Sequence, residues 1–492
     1  MSQAFTTPAD APVHLLPQGG LLIGEGRVTD ASGGHHGHVY PATGRGTIDI
    51  PMAGAREMDL AVKAARAAVS GWKRMPANRR RDLLIRFADL LDRNADSMIR
   101  IGSTENGAPL SKAKLHFGAA VDQFRYMAGW ADKLHGEVVP SWPVPGFDYV
   151  QHEPYGVVAI LIPWNVPMHI LGATLAPALA AGNTVIVKPS ELAPFSSIRF
   201  GELLLEAGFP PGVVNVVPAG IEGSEALVRH PGVDKIHFTG STATARKVLT
   251  GAMENLTPVG LELGGKSARL VFADCDIDAA ARDAVSAALS VSGQGCLLGT
   301  RVLVESAIYD RFVEQCAAIL EATVVGDPQA DSTQMGPVVS DAACNRILGM
   351  IENARACGDG RLVAGGSRLG GGLAGGFFLQ PTLFADVDNR GTLAQTEVFG
   401  PVIAMSRFES REEAVQLAND TQFGLAAYLH TNDLKRAHGV AAELEAGNVW
   451  INGFFFAATI PFGGVKQSGH GRTGGRQGLE EFSRTKNVWM AM

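Results

Sequence analysis

The central part of the chain alternates short apolar runs with longer segments whose apolar residues recur at helical spacing. The runs of β-branched residues predict strands, and the segments between them predict helices. The predicted strands cover residues 157–162, 184–188, 213–217 and 235–238, and the predicted helices cover residues 168–181, 198–207 and 241–251. Because these strands are too apolar to have a face in water, the pattern favours a parallel sheet with helices on both faces.

A second series of the same kind follows Glu262. Its predicted strands cover residues 270–272, 301–304, 402–406, 426–429 and 448–451, and its predicted helices cover residues 277–289 and 309–322. We therefore expect an α/β protein with two lobes that meet near residues 262–267.

The two ends of the chain have different patterns. Residues 1 to about 50 are rich in Gly, Pro and Thr and predict an arm of short strands and turns, followed by helical periodicity over residues 57–119. The tail, residues 485–490, is predicted to be a strand. Since nothing follows it in the sequence, we expect it to pair with a distant segment or with another subunit.

Composition is typical of a soluble globular protein. Of 492 residues, 46% are hydrophobic and 18% are charged, and the net charge of −7 does not favour a nucleic-acid partner, which needs a basic surface. No run approaches the roughly 18 apolar residues of a membrane span. The first ten residues also lack the pattern of a secretory signal. We expect a cytoplasmic protein that does not bind membranes.

Cysteine and histidine content predicts no metal site. The five cysteines are odd in number and no pair has Cys-x-x-Cys spacing, so neither a disulfide framework nor a zinc site is indicated. His35, His36 and His38 have no acidic or cysteine neighbour, and we interpret them as part of a solvated loop.

Cys296 is the most informative single residue, because it lies in the glycine-rich run 292–299. Glycines remove side chains from around a thiol and let backbone N–H groups approach the reacting atom, as a nucleophile requires. From this segment alone, a small apolar residue in a tight loop remains the alternative.

Two glycine-rich segments match nucleotide-binding motifs but lack the neighbouring secondary structure that these motifs require. Residues 260–267 match the phosphate-loop pattern, but a strand-like segment follows where a true phosphate loop leads into a helix. Residues 370–375 match the dinucleotide fingerprint, but no strand precedes them and no helix follows, so we predict a turn.

A better nucleotide site is spread over neighbouring strands. Strand 235–238 ends in Thr239-Gly240-Ser241-Thr242 and opens a helix, whose free N–H groups suit a pyrophosphate. Lys188 and Glu191 follow the end of another strand, where open α/β sheets bind ligands. A carboxylate at Glu191 would accept from a ribose hydroxyl and repel a 2′-phosphate, which favours NAD over NADP, with NADP use still possible.

Seven motifs in one order resemble the aldehyde dehydrogenase superfamily, in its non-acylating branch. The likeness covers nearly the whole chain, from about residue 41 to residue 486. The motifs are Pro163-Trp164-Asn165-Val166-Pro167, Lys188-Pro189-Ser190-Glu191, Phe238-Thr239-Gly240-Ser241-Thr242, Glu262-Leu263-Gly264-Gly265-Lys266, Gly293-Gln294-Gly295-Cys296, Glu397-Val398-Phe399-Gly400-Pro401 and Pro461-Phe462-Gly463-Gly464.

The resemblance implies a role for each matching residue. Cys296 would be the nucleophile, Glu262 the general base and Asn165 a donor to the oxyanion. The implied cofactor-binding residues are Ile162, Pro163, Trp164, Lys188, Ser190, Glu191, Gly240, Ser241, Leu263, Gly264, Glu397 and Phe399, the last two beside the nicotinamide ribose and ring.

The resemblance also implies an architecture. It divides the chain into two Rossmann-like α/β lobes and a small β element for oligomerisation: an NAD-binding domain (residues 1–132 and 153–262), a catalytic domain (263–479) and a bridging element (133–152 and 480–492). A homodimer or homotetramer is expected.

The implied reaction is NAD-dependent oxidation of an aldehyde to its acid. Hydride can leave only after a thiol has added to the carbonyl, and water then hydrolyses the thioester. The residues that follow Asn165 have side chains of modest size, and Phe454-Phe455-Phe456 form an aromatic cluster. Together they predict apolar aromatic or long-chain aldehydes as substrates, although the cluster could instead anchor its loop. The alternatives are a CoA-acylating or semialdehyde dehydrogenase and a non-catalytic binding protein on the same fold.

Overall fold

A computed structural model of the chain describes residues 5–492. Apolar positions at helical spacing give its α-helices their buried faces. They are α1 (Ala55–Arg74), α2 (Ala77–Arg93), α3 (Ala95–Asn106), α4 (Leu110–Trp130), α5 (Pro167–Ala181), α6 (Phe195–Glu206), α7 (Ile221–Val228), α8 (Thr242–Ala252), α9 (Ile277–Ala288), α10 (Tyr309–Ala322), α11 (Asp341–Cys357), α12 (Thr392–Gln395), α13 (Arg411–Asn419), α14 (Leu434–Glu443) and α15 (Gly475–Glu480).

The strands are short, and most of those in the centre of the chain are buried on both faces. They are β1 (Phe5–Thr6), β2 (Leu21–Ile23), β3 (Gly26–Val28), β4 (His35–Tyr40), β5 (Arg45–Pro51), β6 (Glu137–Val139), β7 (Gly146–Pro154), β8 (Val157–Leu161), β9 (Thr184–Lys188), β10 (Val214–Val216), β11 (Lys235–Gly240), β12 (Val259–Leu263), β13 (Ala268–Val271), β14 (Arg301–Glu305), β15 (Val325–Gly326), β16 (Arg361–Ala364), β17 (Thr382–Ala385), β18 (Val402–Phe408), β19 (Phe423–Gly424), β20 (Ala426–His430), β21 (Asn448–Ile451), β22 (Val465–Lys466), β23 (Gly469–His470) and β24 (Ser483–Ala491).

Two large sheets form the frame. One has the order β23-β12-β11-β8-β9-β10-β2-β3, in which the five strands from β12 to β10 run parallel. The other has the order β16-β17-β18-β14-β13-β20-β21, with only β16 antiparallel. The segment between β12 and β13 crosses from the first sheet to the second. The predicted α/β class with two parallel lobes is confirmed.

The tail pairs with a distant segment of its own chain. β24 lies antiparallel to β7 along nine residue pairs, from Ser483 with Pro154 to Ala491 with Gly146, and β6 completes a three-stranded sheet. This outcome is the first of the two predicted for the tail. One edge of β24 has no neighbouring strand among residues 5–492.

One local interpretation was wrong. His35 and His36 lie in strand β4, paired with β5, and not in a solvated loop. His38 is buried, and both of its ring nitrogens have polar partners. One nitrogen is 2.7 Å from Thr47 Oγ1 and the other is 3.0 Å from the Glu105 carbonyl oxygen. Within residues 5–492, no group of three or more His, Cys, Asp or Glu side chains is arranged to hold a metal ion.

Other features agree with the sequence patterns. β13 follows the phosphate-loop-like segment 260–267 directly, so no helix is available there to bind a phosphate. Among the described residues, no helix is both long and apolar enough to cross a membrane.

Helix α5 is set in place by a close crossing with α4. A Cβ atom added at Gly172 would lie 2.6 Å from Ala120 Cα and 3.0 Å from Ala120 Cβ. The two backbones therefore pack more closely than any larger residue at position 172 would allow. Since α5 begins two residues after Asn165, this crossing also helps to fix the position of Asn165.

We expect Gly172→Ala to destabilise the protein by about 1–3 kcal/mol, because the added methyl group overpacks the crossing. Thermal unfolding measures the change. Gly118→Ala is the matched control on α4, where an added Cβ meets no atom within 4 Å. It should be neutral or stabilising by up to about 1 kcal/mol, since Ala is the better helix former. Equal melting temperatures for the two variants would contradict the close crossing.

Candidate active site

The carboxyl ends of four neighbouring parallel strands meet at one edge of the first sheet. The pairs that mark this edge are Leu263 with Gly240, Phe238 with Leu161, and Leu161 with Lys188. Open α/β sheets bind ligands at such an edge, outside the strand ends. The ends of β8, β9, β11 and β12 and the segments that follow them carry twelve of the residues singled out from the sequence.

Cys296 lies in a loop with an unusual backbone. Val291, Ser292 and Gly293 have φ values of 50°, 57° and 76°, a run of three residues in the left-handed region. This conformation is costly for a β-branched residue, and such residues cluster at functional sites. A Cβ at position 293 would lie 2.1 Å from the Gly400 carbonyl, so only glycine fits there.

Hydrogen bonds hold this loop from several sides. Ser292 Oγ donates to the Gly336 carbonyl at 2.8 Å, and Gln294 Oε1 accepts from the Val339 amide at 3.0 Å. The Gln294 carbonyl accepts from Asn165 Nδ2 at 2.9 Å. The amide and the thiol predicted to act together are therefore joined through a residue two positions before Cys296.

Asn165 is buried between β8 and α5, and its backbone is fixed as well as its side chain. Asn106 Nδ2 donates to the carbonyls of Trp164 and Asn165 at 3.1 and 2.8 Å. An amide nitrogen has two hydrogens, and the second one on Asn165 is free to meet a ligand. Asn165 Oδ1 has no hydrogen-bond partner among the described residues.

Glu262 lies near the carboxyl end of β12, where both of its carboxyl oxygens are buried without a hydrogen-bond partner in the described chain. Burial raises the pKa of this carboxyl well above its usual value, Arg472 opposes the increase and Glu481 adds to it. Burial therefore favours the protonated form of this carboxyl in this conformation. It can act as a base once water reaches it.

Cys296 is partly exposed. Its pKa is raised to about 12, first by burial of the sulfur and then by the negative charges of Glu397 and Glu262, while backbone N–H groups of Cys296 and Leu297 lower it. The dependence of this pKa on both carboxyl groups puts the three side chains within electrostatic range of one another. The resting thiol is protonated, and loss of a negative charge or approach of a positive one would activate it.

Several predicted cofactor residues follow β8 directly. Ile162 is buried and its N–H bonds to the Lys188 carbonyl at 3.1 Å. Pro163 and Trp164 come next and are partly exposed. The Trp164 ring meets Phe399 edge to face with 5.5 Å between centroids, although the two residues are far apart in sequence.

The neighbouring strand ends carry the predicted groups for the adenosine and pyrophosphate. Lys188 ends β9, and its ammonium makes no hydrogen bond or ion pair within residues 5–492; burial lowers its pKa, while Glu191 opposes that shift. Ser190 Oγ is 3.3 Å from a Glu191 carboxyl oxygen. Gly240 ends β11, and Ser241 caps α8 by accepting from the Thr244 amide at 3.2 Å.

Glu397 reaches the end of β12. Its Oε1 accepts from the Gly265 amide at 3.0 Å, and a Cβ at Gly264 would lie 2.1 Å from its Oε2. Burial raises the pKa of Glu397 to about 7. Leu263 donates its N–H to the Ser468 carbonyl at 3.0 Å. The contacts of Glu397 thus join the segment that also carries Phe399 to the end of β12.

The sequence did not indicate three supporting residues. Asn106 fixes the backbone of Asn165, Ser468 Oγ donates to the Gly264 carbonyl at 2.7 Å, and Tyr428 donates its hydroxyl to the Leu297 carbonyl at 2.9 Å. Each acts on a residue more than 50 positions away. Only Gln294 carried a signal, as part of the motif that precedes Cys296.

Comparisons with known proteins agree with this fold. The sequence model described as the aldehyde dehydrogenase family matches residues 28–488. Human retinal dehydrogenase 2 is 41% identical over 92% of this chain and 88% of its own length. Human mitochondrial aldehyde dehydrogenase is 41% identical over 92% of this chain and 87% of its own length.

Solved structures are similar over almost their whole length. PnpE in complex with nicotinamide adenine dinucleotide superposes with a TM-score of 0.94 at 39% identity and covers 96% of this chain and 98% of that chain. Betaine aldehyde dehydrogenase from Staphylococcus aureus in complex with NAD⁺ gives 0.95 at 33% identity and covers 97% of this chain and 96% of that one.

The fold is that of a two-lobed α/β oxidoreductase. The chain belongs to the aldehyde dehydrogenase family.

The raised pKa of Cys296 predicts how its alkylation by iodoacetamide depends on pH. The rate should rise about tenfold per unit between about pH 7 and pH 10, as the thiolate fraction does. Glu397→Gln should speed alkylation at any fixed pH in this range, because removing the negative charge lowers the pKa of the thiol. Mass spectrometry of the Cys296 peptide follows the reaction, with the exposed Cys357 as the accessible reference thiol.

Glu409→Gln, at an exposed site, serves as the control substitution and should leave the alkylation rate unchanged. A rate that stops rising below about pH 9 would mean that the thiol is already ionised there and would contradict the raised pKa.

Proposed function

We propose that this protein oxidises an aldehyde to the corresponding carboxylic acid, with NAD⁺ as hydride acceptor and Cys296 as the covalent nucleophile. The observation that carries the proposal is the hydrogen bond from Asn165 Nδ2 to the Gln294 carbonyl, which joins an amide donor to the cysteine loop. Glu262 lies within electrostatic range of the same sulfur.

The residues at the strand ends fit NAD. Lys188 offers a buried ammonium without a partner in the described chain, and Glu191 offers a carboxylate for a ribose hydroxyl. The free N–H groups at the start of α8 suit a pyrophosphate. The space that a Cβ at Gly264 would fill lies against Glu397, and Trp164 and Phe399 offer aromatic surface. NAD⁺ would supply a hydride acceptor when bound.

In the first half of the reaction, the Cys296 thiol loses its proton to solvent water, and the resulting thiolate adds to the aldehyde carbon so that a C–S bond forms. Negative charge develops on the carbonyl oxygen, where the free hydrogen of Asn165 Nδ2 and the Cys296 N–H would donate. Loss of one such donor typically costs roughly 10²–10³-fold in rate. When the C=O bond re-forms, hydride leaves the carbon and a thioester remains on Cys296.

In the second half, water attacks the thioester. Glu262 removes a proton from that water, the C–S bond breaks, and the acid is released with the thiol restored. The buried, unpartnered carboxyl of Glu262 suits this role, because its raised pKa makes it a better proton acceptor once ionised. A base that activates water favours hydrolysis over transfer to CoA.

We further propose that the substrate has an apolar aromatic or long-chain body. Phe456 packs edge to face on Phe462, with 5.6 Å between centroids, and Phe462 precedes the glycine beside Glu262. Phe454 and Phe455 make different contacts, with Trp450. Phe454 packs on Trp450, and the Phe455 carbonyl accepts from Trp450 Nε1 at 2.7 Å, so those two anchor the loop.

We also propose the division into an NAD-binding and a catalytic domain, and assembly into a homo-oligomer, from the arrangement of the three sheets. The first sheet is built mainly from residues 1–132 and 153–262, and the second from residues 263–479. The third sheet, β24-β7-β6, exposes Phe147, Trp489 and Met490 and one free strand edge. An exposed apolar edge of this kind pairs readily with another chain, so this sheet is where a homodimer or homotetramer would assemble.

Substitution of the two reacting groups should give different defects. Cys296→Ser should abolish NADH formation. Glu262→Gln should release about one NADH per active site and then turn over about 10²–10⁴-fold more slowly, because hydrolysis alone needs the base. Stopped-flow absorbance at the NADH band measures both phases, with Cys357→Ser as a control that retains normal turnover.

An equal loss of burst and turnover in Glu262→Gln would contradict its role in hydrolysis. Formation of acyl-CoA by the wild-type enzyme on addition of CoA would instead support the acylating alternative.

Replacement of Glu191 tests the cofactor preference. Glu191→Gln should raise the ratio of kcat/KM for NADP⁺ to that for NAD⁺ by about tenfold, ~1.4 kcal/mol, because the repulsion of a 2′-phosphate is removed. Glu222→Gln, exposed on α7, is the matched control. An unchanged ratio would place the ribose away from Glu191.

A further inference from the structure

Two histidines face each other beside the candidate active site. His169 lies in the first turn of α5, four residues after Asn165, and its ring centroid is 6.4 Å from that of His116 on α4. His116 precedes Ala120 by one turn, and His169 precedes Gly172 by one turn. Both rings therefore lie on the same side of the close crossing of α4 and α5, toward the beginning of α5.

The pair continues into the aromatic wall of the aldehyde side. The His169 ring meets Phe456 edge to face with 4.7 Å between centroids, and Phe456 in turn packs on Phe462. A Cβ at the next residue, Gly463, would lie 2.7 Å from Glu262 Oε1. The sequence of contacts from the histidines thus ends at the carboxyl group that activates water.

These rings have polar nitrogens without protein partners. Neither His116 nor His169 makes a hydrogen bond within residues 5–492. Burial lowers the pKa of His116 to about 3 and that of His169 to about 4, so both are neutral at physiological pH. A neutral imidazole has one N–H donor, which here is left for a ligand.

Lys112 adds a positive charge to the same face of α4, one turn before His116. Its charge contributes to the lowered pKa of His116, which shows that the two groups are close. Burial lowers the pKa of Lys112 itself, and it has no ion pair in the described part of the chain. The cluster Lys112, His116 and His169 therefore combines one cation and two neutral donors with no anion.

We propose that the cluster Lys112, His116 and His169 binds a carboxylate at the far end of the substrate, so that the aldehydes this enzyme prefers have an apolar body and an anionic tail. The inference rests on the proposed oxidation of aldehydes and narrows its substrate class. The body of the substrate lies along Phe456, the carboxylate pairs with Lys112, and the histidine N–H groups donate to its oxygens.

The test uses pairs of substrates that differ only in the charge of the tail. 4-Formylbenzoate is compared with its methyl ester, and 4-formylcinnamate, a longer molecule, is compared with its own methyl ester. The ester group withdraws more electron density and makes the aldehyde intrinsically more reactive, so a preference for the acid must come from the protein. We expect kcat/KM for the acid to exceed that for the ester by about tenfold in at least one pair, as a charge-assisted hydrogen bond provides.

Two variants assign the preference to the cluster. In Lys112→Met and in His169→Phe, which keeps an aromatic ring against Phe456, the acid-to-ester ratio should fall to about one through a higher KM for the acid. Lys114→Met, an exposed lysine on the same helix, is the matched control and should retain the wild-type ratio. Thermal unfolding verifies that each variant is folded.

The outcomes separate this inference from the proposed function. Oxidation of benzaldehyde with equal efficiencies for acid and ester in both pairs would overturn the anionic tail and leave the aldehyde dehydrogenase activity intact. An acid preference that survives in both variants would overturn the assignment to the cluster. Absence of NADH formation with every aldehyde would instead count against the proposed function.

Discussion

The hydrogen bond from Asn165 Nδ2 to the Gln294 carbonyl is the interaction on which the site depends. Asn165 follows a strand of the first sheet, whereas Gln294 belongs to a loop that leads into the second. Each partner is also held separately, Asn165 through Asn106 and Gln294 through Val339. The bond therefore joins two preorganised segments, and the distance between amide donor and thiol is set by both lobes together.

The protonation of three acidic side chains, one thiol and two carboxyl groups, is the second constraint. Burial raises the pKa of Cys296, Glu262 and Glu397. Burial and the neighbouring negative charges therefore both favour the protonated form of the thiol, so its reactivity is governed by the two carboxyl groups.

Much of the frame could be predicted, because apolar β-branched runs that are buried on both faces leave little choice of structure. The predicted strands at residues 184–188 and 448–451 coincide with β9 and β21. Short strands were expected in the first 50 residues, but the burial of His38 in β4 could not be foreseen, because it depends on the Glu105 carbonyl far along the chain. The roles of Tyr428 and Ser468 likewise come from folding, which brings them to backbone atoms that no local pattern marks.

The contact of Gly293 with Gly400 has a consequence for how the enzyme can change shape. A side chain at position 293 would collide with the Gly400 carbonyl, and Phe399 just before it also has a left-handed backbone, with φ of 49°. The segment that carries Cys296 and the segment that carries Phe399 are thus in close backbone contact. Because protein interiors are closely packed, neither segment can shift toward the other without a clash, so the positions of Cys296 and Phe399 depend on each other.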